Sequence, residues 1–197
     1  QLALLSKEIS NVYVQILESI IKKYPKIKFE LELLEEIPTF SSDKVDILFG
    51  VLSTLDIQDL VRRKLIKTSY KLCASPIYIK KLGLPMTPHD LTNHNFITHS
   101  NRPDNNSLNF KKTQITLVPS LQLNDTRSLL ACTLEGLGFA NLFDFIVNDL
   151  LKQGLLVEFL SDYSAEEKYE ICLYYKKTRY TKPEIKAFVE FIVGRIR

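Results

Sequence analysis

The residues best suited to chemistry in this chain are its three histidines, His89, His94 and His99, which fall in one stretch, HDLTNHNFITH, at spacings of five. Clustered imidazoles could bind zinc or relay protons, and either role would point to an enzyme or a metalloprotein. The spacing argues against both. Zinc needs ligands that converge. Residues five apart face opposite sides of a strand, and on a helix they end about 140° out of alignment. HDLTNHN reads as a loop feeding a strand, NFIT, so the three rings are expected in three different places and no metal site is expected.

The other reactive side chains are as scattered. Cys73, Cys132 and Cys172 are odd in number, far apart, and set in apolar runs such as YKLCASP and YEICLYY. They read as buried free thiols of a reducing compartment. The sequence holds no H-E-x-x-H, C-x-x-C, Walker loop, G-x-S-x-G or G-x-G-x-x-G. The G-x-G of LEGLGFA ends a helix instead of opening one, so it cannot cradle a phosphate. No acidic pair is positioned as an acid/base couple, and the chain is read as a binding module that needs no cofactor.

The elements that must position these residues come from a chain of 197 residues, 45% hydrophobic and 25% charged, enough for one large domain or two small ones. Its 26 Lys and Arg against 23 Asp and Glu leave a net charge of +3 with no basic arm, so this chain alone is not expected to bind DNA strongly. No run of roughly eighteen apolar residues suggests a membrane span, and the start lacks the form of a signal peptide. A chain that begins at Gln1 and whose only methionine is Met86 reads as a piece of something longer.

LALL at the start is strand-like. Val12, Ile16, Leu17, Ile20 and Ile21 then mark one face of a helix closed by Lys22, Lys23 and Pro25. IKFELELL alternates from Ile27 to Leu33 as a strand with one wet face, and VDILFGV is a further strand. This order predicts an α/β unit with parallel strands. A proline-rich middle follows, with NFITH and ITLVPSLQL as short strands. NDTRSLLACTLEGLGFA reads as a helix capped by Asp125 or Thr126, with Gly136 and Gly138 as stop signals. A second helix, FDFIVNDLLKQ, leads to a strand, LLVEFL, completing a second small α/β unit. At the end, TKPE is a T-x-x-E capping box before Ile185, Phe188, Val189, Ile192, Val193 and Ile196 at helical spacing. YEICLYY before it is like the first unit's strands, so the first unit is expected to be discontinuous.

The motifs YPKIKFELE, VDILFGV, CASPIYIKKLGLP, TPHDLTNHNFI, LQLNDTRSLLACTLEGLGFANL and LKQGLLVEFL, with the capped final helix, come in an order that resembles the effector-binding domain of LysR-type transcriptional regulators. The resemblance runs along nearly the whole chain. It implies an α/β fold like that of type 2 periplasmic binding proteins: two Rossmann-like subdomains joined by two crossover strands, here 1–73 with 169–197, and 74–168. It implies a small-molecule effector in the cleft, a carboxylate or similarly polar molecule, and a homodimer or homotetramer in the cytoplasm. The winged helix-turn-helix that binds operator DNA in such regulators is not in this chain. A solute-binding protein of a transporter shares the fold and is the alternative.

In open α/β sheets ligands sit beyond the carboxyl ends of parallel strands, near helix N-termini. That rule picks Ser6 and Lys7 after LALL, Leu52 and Ser53 after ILFGV, His99 and Ser100 after NFIT, and Asn124 to Thr126 after LQL. The resemblance adds Asn141 to Phe143, after the Gly-x-Gly helix, with Phe143 reshaping the pocket. Ser6 also reads as a plain N-cap and Lys7 as a solvent-facing lysine. His94 matches the histidine of the family's DL-x-x-H turn and is read as structural, and His89 as a solvated loop residue.

Overall fold

The computed structural model describes residues 2–4, 18–28, 30–33, 45–51, 59–100, 106–165 and 168–195. Two compact units emerge, Gln1–Lys67 with Tyr169–Arg197, and Thr68–Lys168.

The first unit is built on a five-stranded sheet of β1 (Leu2–Leu4), β2 (Leu31–Leu33), β3 (Ile47–Val51), β4 (Leu60–Thr68) and β12 (Tyr169–Lys176), in the order β2-β1-β3-β12-β4. The central strands β3 and β12 are near-continuous apolar runs because both of their faces are covered, and Ile47, Leu48, Phe49 and Ile171 to Tyr174 are buried. β4 carries Arg62, Arg63 and Lys64 at the sheet's edge, where charge discourages pairing with another chain. The last helix, α4 (Pro183–Arg195), buries Phe188, Val189 and Ile192, with Phe188 edge-on to Phe49 at 6.1 Å. Its first turn differs from the expected capping box by one residue. The Lys186 N–H donates to the Lys182 carbonyl, so Lys182 is the cap and Pro183 takes the first helical position, which suits its fixed φ.

Residues 18–23 are helical, with Ile20 buried, whereas Val12, Ile16 and Leu17 lie outside the described residues. The strand expected from Ile27 is shorter. The Ile27 N–H closes a turn onto the Tyr24 carbonyl, and sheet pairing begins at Leu31.

The second unit has its own five-stranded sheet, β5 (Tyr70–Ala74), β6 (Phe96–His99), β9 (Leu121–Leu123), β10 (Phe139–Phe143) and β11 (Val157–Glu158), in the order β11-β5-β10-β6-β9. A boundary at 73/74 would cut β5, which belongs wholly to this sheet. The expected strand ITLVPSLQL is divided by Pro119. Its first part, β8 (Gln114–Thr116), pairs with β7 (Ser107–Asn109) in a separate hairpin, and its second part is β9. Helices α1 (Pro76–Leu82), α2 (Thr126–Leu134) and α3 (Asp144–Lys152) complete the unit.

Strand alternation gives this sheet two cores. Phe96 and Phe139 join Tyr78, Leu91 and Phe159 in one, while Ile97, Ala140 and Leu142 join Leu129 and Val147 in the other. Gly136, at φ +78°, ends α2 in the left-handed region that glycine tolerates. FA of EGLGFA, expected at the helix end, opens β10 instead.

Neither sheet is purely parallel, contrary to expectation. β1 runs parallel to β2 and β3, and β6 parallel to β9 and β10, but β12 is antiparallel to β3, and β5 to β10 and β11. β5 and β12 directly follow the points where the chain passes from one unit to the other. They enter their sheets without the helical crossover that enforces parallel order.

Candidate functional site

Three neighbouring parallel strands, β9, β6 and β10, end on one edge of the second sheet. That edge brings together His99 and Ser100 after β6, Asn124 to Thr126 after β9, and Phe143 with the start of α3 after β10. The Ser100 N–H donates to the Leu123 carbonyl at 2.8 Å, which ties the first two segments. Ser100 and Asn124 are exposed, and Thr126 is buried.

Two helices start here, and each meets an acidic residue of the chain itself. Asp125 caps α2, accepting from the Ser128 N–H at 3.0 Å and the Ser128 hydroxyl at 2.6 Å. Asp144 opens α3, and its carboxylate accepts from the Thr68 hydroxyl at 2.6 Å and the Ser69 hydroxyl at 3.3 Å. Its own N–H donates to the Ser69 carbonyl at 2.9 Å. Negative charge at a helix N-terminus is favourable. These two carboxylates take up part of the positive potential that the sequence reading reserved for a ligand anion.

Strand alternation sorts the remaining candidates. His99 follows Ile97 toward the face covered by α2 and α3, whereas Asn141 shares the opposite face with Phe139 and Phe143. The edge therefore gathers these residues along the sheet but not onto one face. Asn141 and Phe143 lie within β10, not in a turn after the helix, and pair with Leu72 and Tyr70. Phe143 is buried, its ring stacked on Tyr70 at 4.0 Å and beside Phe145 at 5.6 Å. Ser6, Lys7, Leu52 and Ser53 lie outside the described residues.

Sequence reading missed Thr98, Thr68 and Ser69. Thr98 is a buried hydroxyl that follows Phe96 and Ile97 in β6, on the same face as Asn141, and its place in NFITH was the available signal. Thr68 and Ser69 bear on Asp144 only through tertiary contact.

The other two histidines stand apart from this edge. His89 is exposed on a 3-10 turn, Pro88–Asn93, which His94 ends. The buried Tyr78 hydroxyl lies 3.2 Å from His94 Nδ1 and accepts the Asn95 N–H at 2.8 Å. Among the described residues no three His, Cys, Asp or Glu side chains are arranged to hold a metal.

Burial holds His94 below its ordinary pKa of 6.5, against a smaller upward pull from Asp90. The unfolded chain therefore takes up this proton first as pH falls. His94's contribution to stability is complete above the unfolded value and is lost as pH drops through 6.5 toward the folded value. The midpoint of urea unfolding should fall between pH 7.5 and 5.5, and His94→Gln should shrink that fall. An equal fall in the variant would assign it to other groups.

The cysteines are free. Burial pushes the Cys73 thiol up to about 12, so it stays protonated and unreactive. Cys172 is also buried, on β12 of the first unit, where its sulfur accepts from Arg62 Nε at 3.2 Å.

Comparison with known proteins places this architecture. The family model described as the LysR substrate binding domain matches residues 6–197. The chain is 29% identical to an HTH-type transcriptional regulator of Haemophilus influenzae, over 83% of the chain and 58% of that protein. It is 24% identical to the HTH-type transcriptional regulator CrgA of Neisseria meningitidis, over 89% of the chain and 59% of that protein. The chain thus spans under two thirds of the length of these relatives. Among solved structures, the CrgA regulatory domain superposes with a TM-score of 0.91 at 20% identity, covering 100% of this chain and 97% of that one. Full-length AphB of Vibrio cholerae superposes at 0.86 and 20% identity, covering 100% of this chain and 67% of that one.

Proposed function

The chain belongs to the LysR substrate-binding domain family, and from that premise we propose that it senses a small-molecule effector for a DNA-binding transcriptional regulator. The observation that carries the proposal is the shared edge where β6, β9 and β10 end beside two helix starts. Parallel α/β sheets take ligands at such an edge. The parallel pairing of β1 with β3 supports the same role for the segments that follow them, with Ser6, Lys7, Leu52 and Ser53.

The effector is a small polar molecule. Asp125 and Asp144 already occupy the two helix starts at this edge, so hydrogen bonding by Ser100, Thr98 and Asn141 contributes more there than a bare charge site would. Operator DNA is bound by the helix-turn-helix segment of the whole protein, not by this chain, whose net charge is +3. The whole protein works as a homodimer or homotetramer in the cytoplasm, where free thiols remain reduced. The named relatives are regulators, which gives no support to the transporter alternative. Among the described residues no helix is long and apolar enough to cross a membrane.

Thermal-shift screening against a metabolite collection tests this reading. A ligand present at 100 times its Kd stabilises the folded state by about 2.7 kcal/mol, a readily measured rise in melting temperature. Ser100→Ala and Asn141→Ala should each weaken the ligand found by roughly fivefold or more, a lost hydrogen bond's worth. If no metabolite raises the melting temperature, the sensing role fails. If both variants bind unchanged, the site is misplaced.

A further inference from the structure

The first unit holds a partly open cavity of about 630 Å³, lined by β4, β12, α4 and Thr181 just before α4. This volume is within the range that holds small-molecule ligands. Its apolar surface comes from Leu65, Val189, Val193 and the Tyr175 ring, of which Val189 and Tyr175 are largely buried. It exists because α4 packs its Phe188 and Ile192 over the middle of the sheet, leaving the outer part of the edge strand β4 uncovered.

The charges around it are unequal. Arg63, Lys64 and Lys186 line the cavity, against one carboxylate, Glu190. Lys64 is paired with Glu170, and Lys186 stands 4.0 Å from Glu190. Arg63 makes no ion pair among the described residues. A guanidinium without a counter-charge, set beside an apolar floor, matches a carboxylate that carries an apolar group, because its planar fork can donate two parallel hydrogen bonds.

We propose that this cavity is a second binding site, for a small amphipathic carboxylate whose acid group meets Arg63 and whose ring or chain lies on Leu65, Val189 and Val193. The site lies wholly within the first unit and stands or falls independently of the effector edge on the second. Gly194 supplies the means to close it. A Cβ there would meet nothing within 4 Å, so a larger side chain is accommodated by the helix and lies at the cavity's lip.

The test is an amide-resolved NMR titration of the chain with 4-phenylbutyrate, its neutral amide and 4-phenylbutylamine. The acid should shift the Leu65 and Val193 amides saturably, and the neutral amide should bind roughly fivefold or more weakly, with the amine weaker still. Arg63→Gln should reduce affinity for the acid by roughly tenfold, Gly194→Leu should abolish saturation, and Ser100→Ala, in the other unit, should leave the affinity read at Leu65 and Val193 as it was. The proposal is overturned if the acid gives no saturable shift at these residues up to about 10 mM. Equal binding of acid and neutral amide, or an unchanged affinity in Arg63→Gln, overturns it too.

Discussion

Phe139→Ala is expected to lower the stability of the second unit by about 4 kcal/mol, in the range measured for large aromatic residues truncated in tight cores. Phe139 is completely buried at the start of β10. Its ring stacks on Phe96 at 5.1 Å and meets Phe159 edge-on at 5.8 Å, so truncation removes two ring contacts along with the buried area. The backbone cannot close the gap, because β10 is held between β5 and β6 and the Phe139 N–H donates to the Asn95 carbonyl at 2.9 Å. Urea unfolding followed by circular dichroism should show the loss. The half-exposed Leu137, truncated as a control, should lose no more than about 0.5 kcal/mol. A loss at Phe139 below about 1 kcal/mol would mean that the packing described is not what holds β10.

Gly138→Ala is expected to cost about 3 kcal/mol, although it adds a single methyl group. A Cβ at this position would lie 2.5 Å from the Asn95 carbonyl oxygen and 2.8 Å from Ile97 Cγ1. The side chain of Ile97 could yield, but the carbonyl belongs to the backbone just before β6, so relief requires parting β6 from β10. Gly138→Ala should therefore cost nearly as much in an Ile97→Ala background, where the Cγ1 contact is gone. A negligible cost there would show that the side chain, not the carbonyl, was the obstacle. The same parting would move Thr98 away from Asn141, so the variant should also weaken binding at the site proposed above by more than its stability loss alone predicts, checked by titration at a temperature where it remains folded.

These two positions show how differently the glycines of one motif behave. In EGLGFA both Gly136 and Gly138 read as helix stops from the sequence. Gly136 is one, held at φ +78°. Gly138 is required because another strand's backbone passes against it, a fact about residues more than forty positions away.

Several elements were legible in the chain itself. Unbroken apolar runs marked β3 and β12, which are covered on both faces, and a helical period marked α4. Asp125 was readable as one of two candidate caps, with Thr126, and its short carboxylate accepts from the Ser128 N–H as an N-cap does. Errors came where two local readings compete. The Ile27 to Leu33 alternation ignored a turn that hydrogen-bonds to the preceding helix, and ITLVPSLQL was joined across Pro119, whose two flanks pair with different partners, β7 and β6.

The candidate site was legible in part for a similar reason. That His99, Ser100 and Asn124 to Thr126 follow strands is a local property, and parallel order then places those ends together. Which face each side chain takes depends on register, and register is a pairing between distant segments. So His99 and Asn141 part to opposite faces, and Phe143 is committed to a stack with Tyr70 and Phe145.

The order of motifs in the sequence carried the resemblance to the family, while the alternation of strands and helices and the expected separation of three histidines spaced five apart followed from period and local backbone geometry. Only the tertiary structure decided the mixed direction of the two sheets, the filling of two helix starts by Asp125 and Asp144, the backbone approach that makes Gly138 necessary, and the cavity beside Arg63. Each of these depends on which distant segments lie side by side, and no local pattern of side chains encodes that.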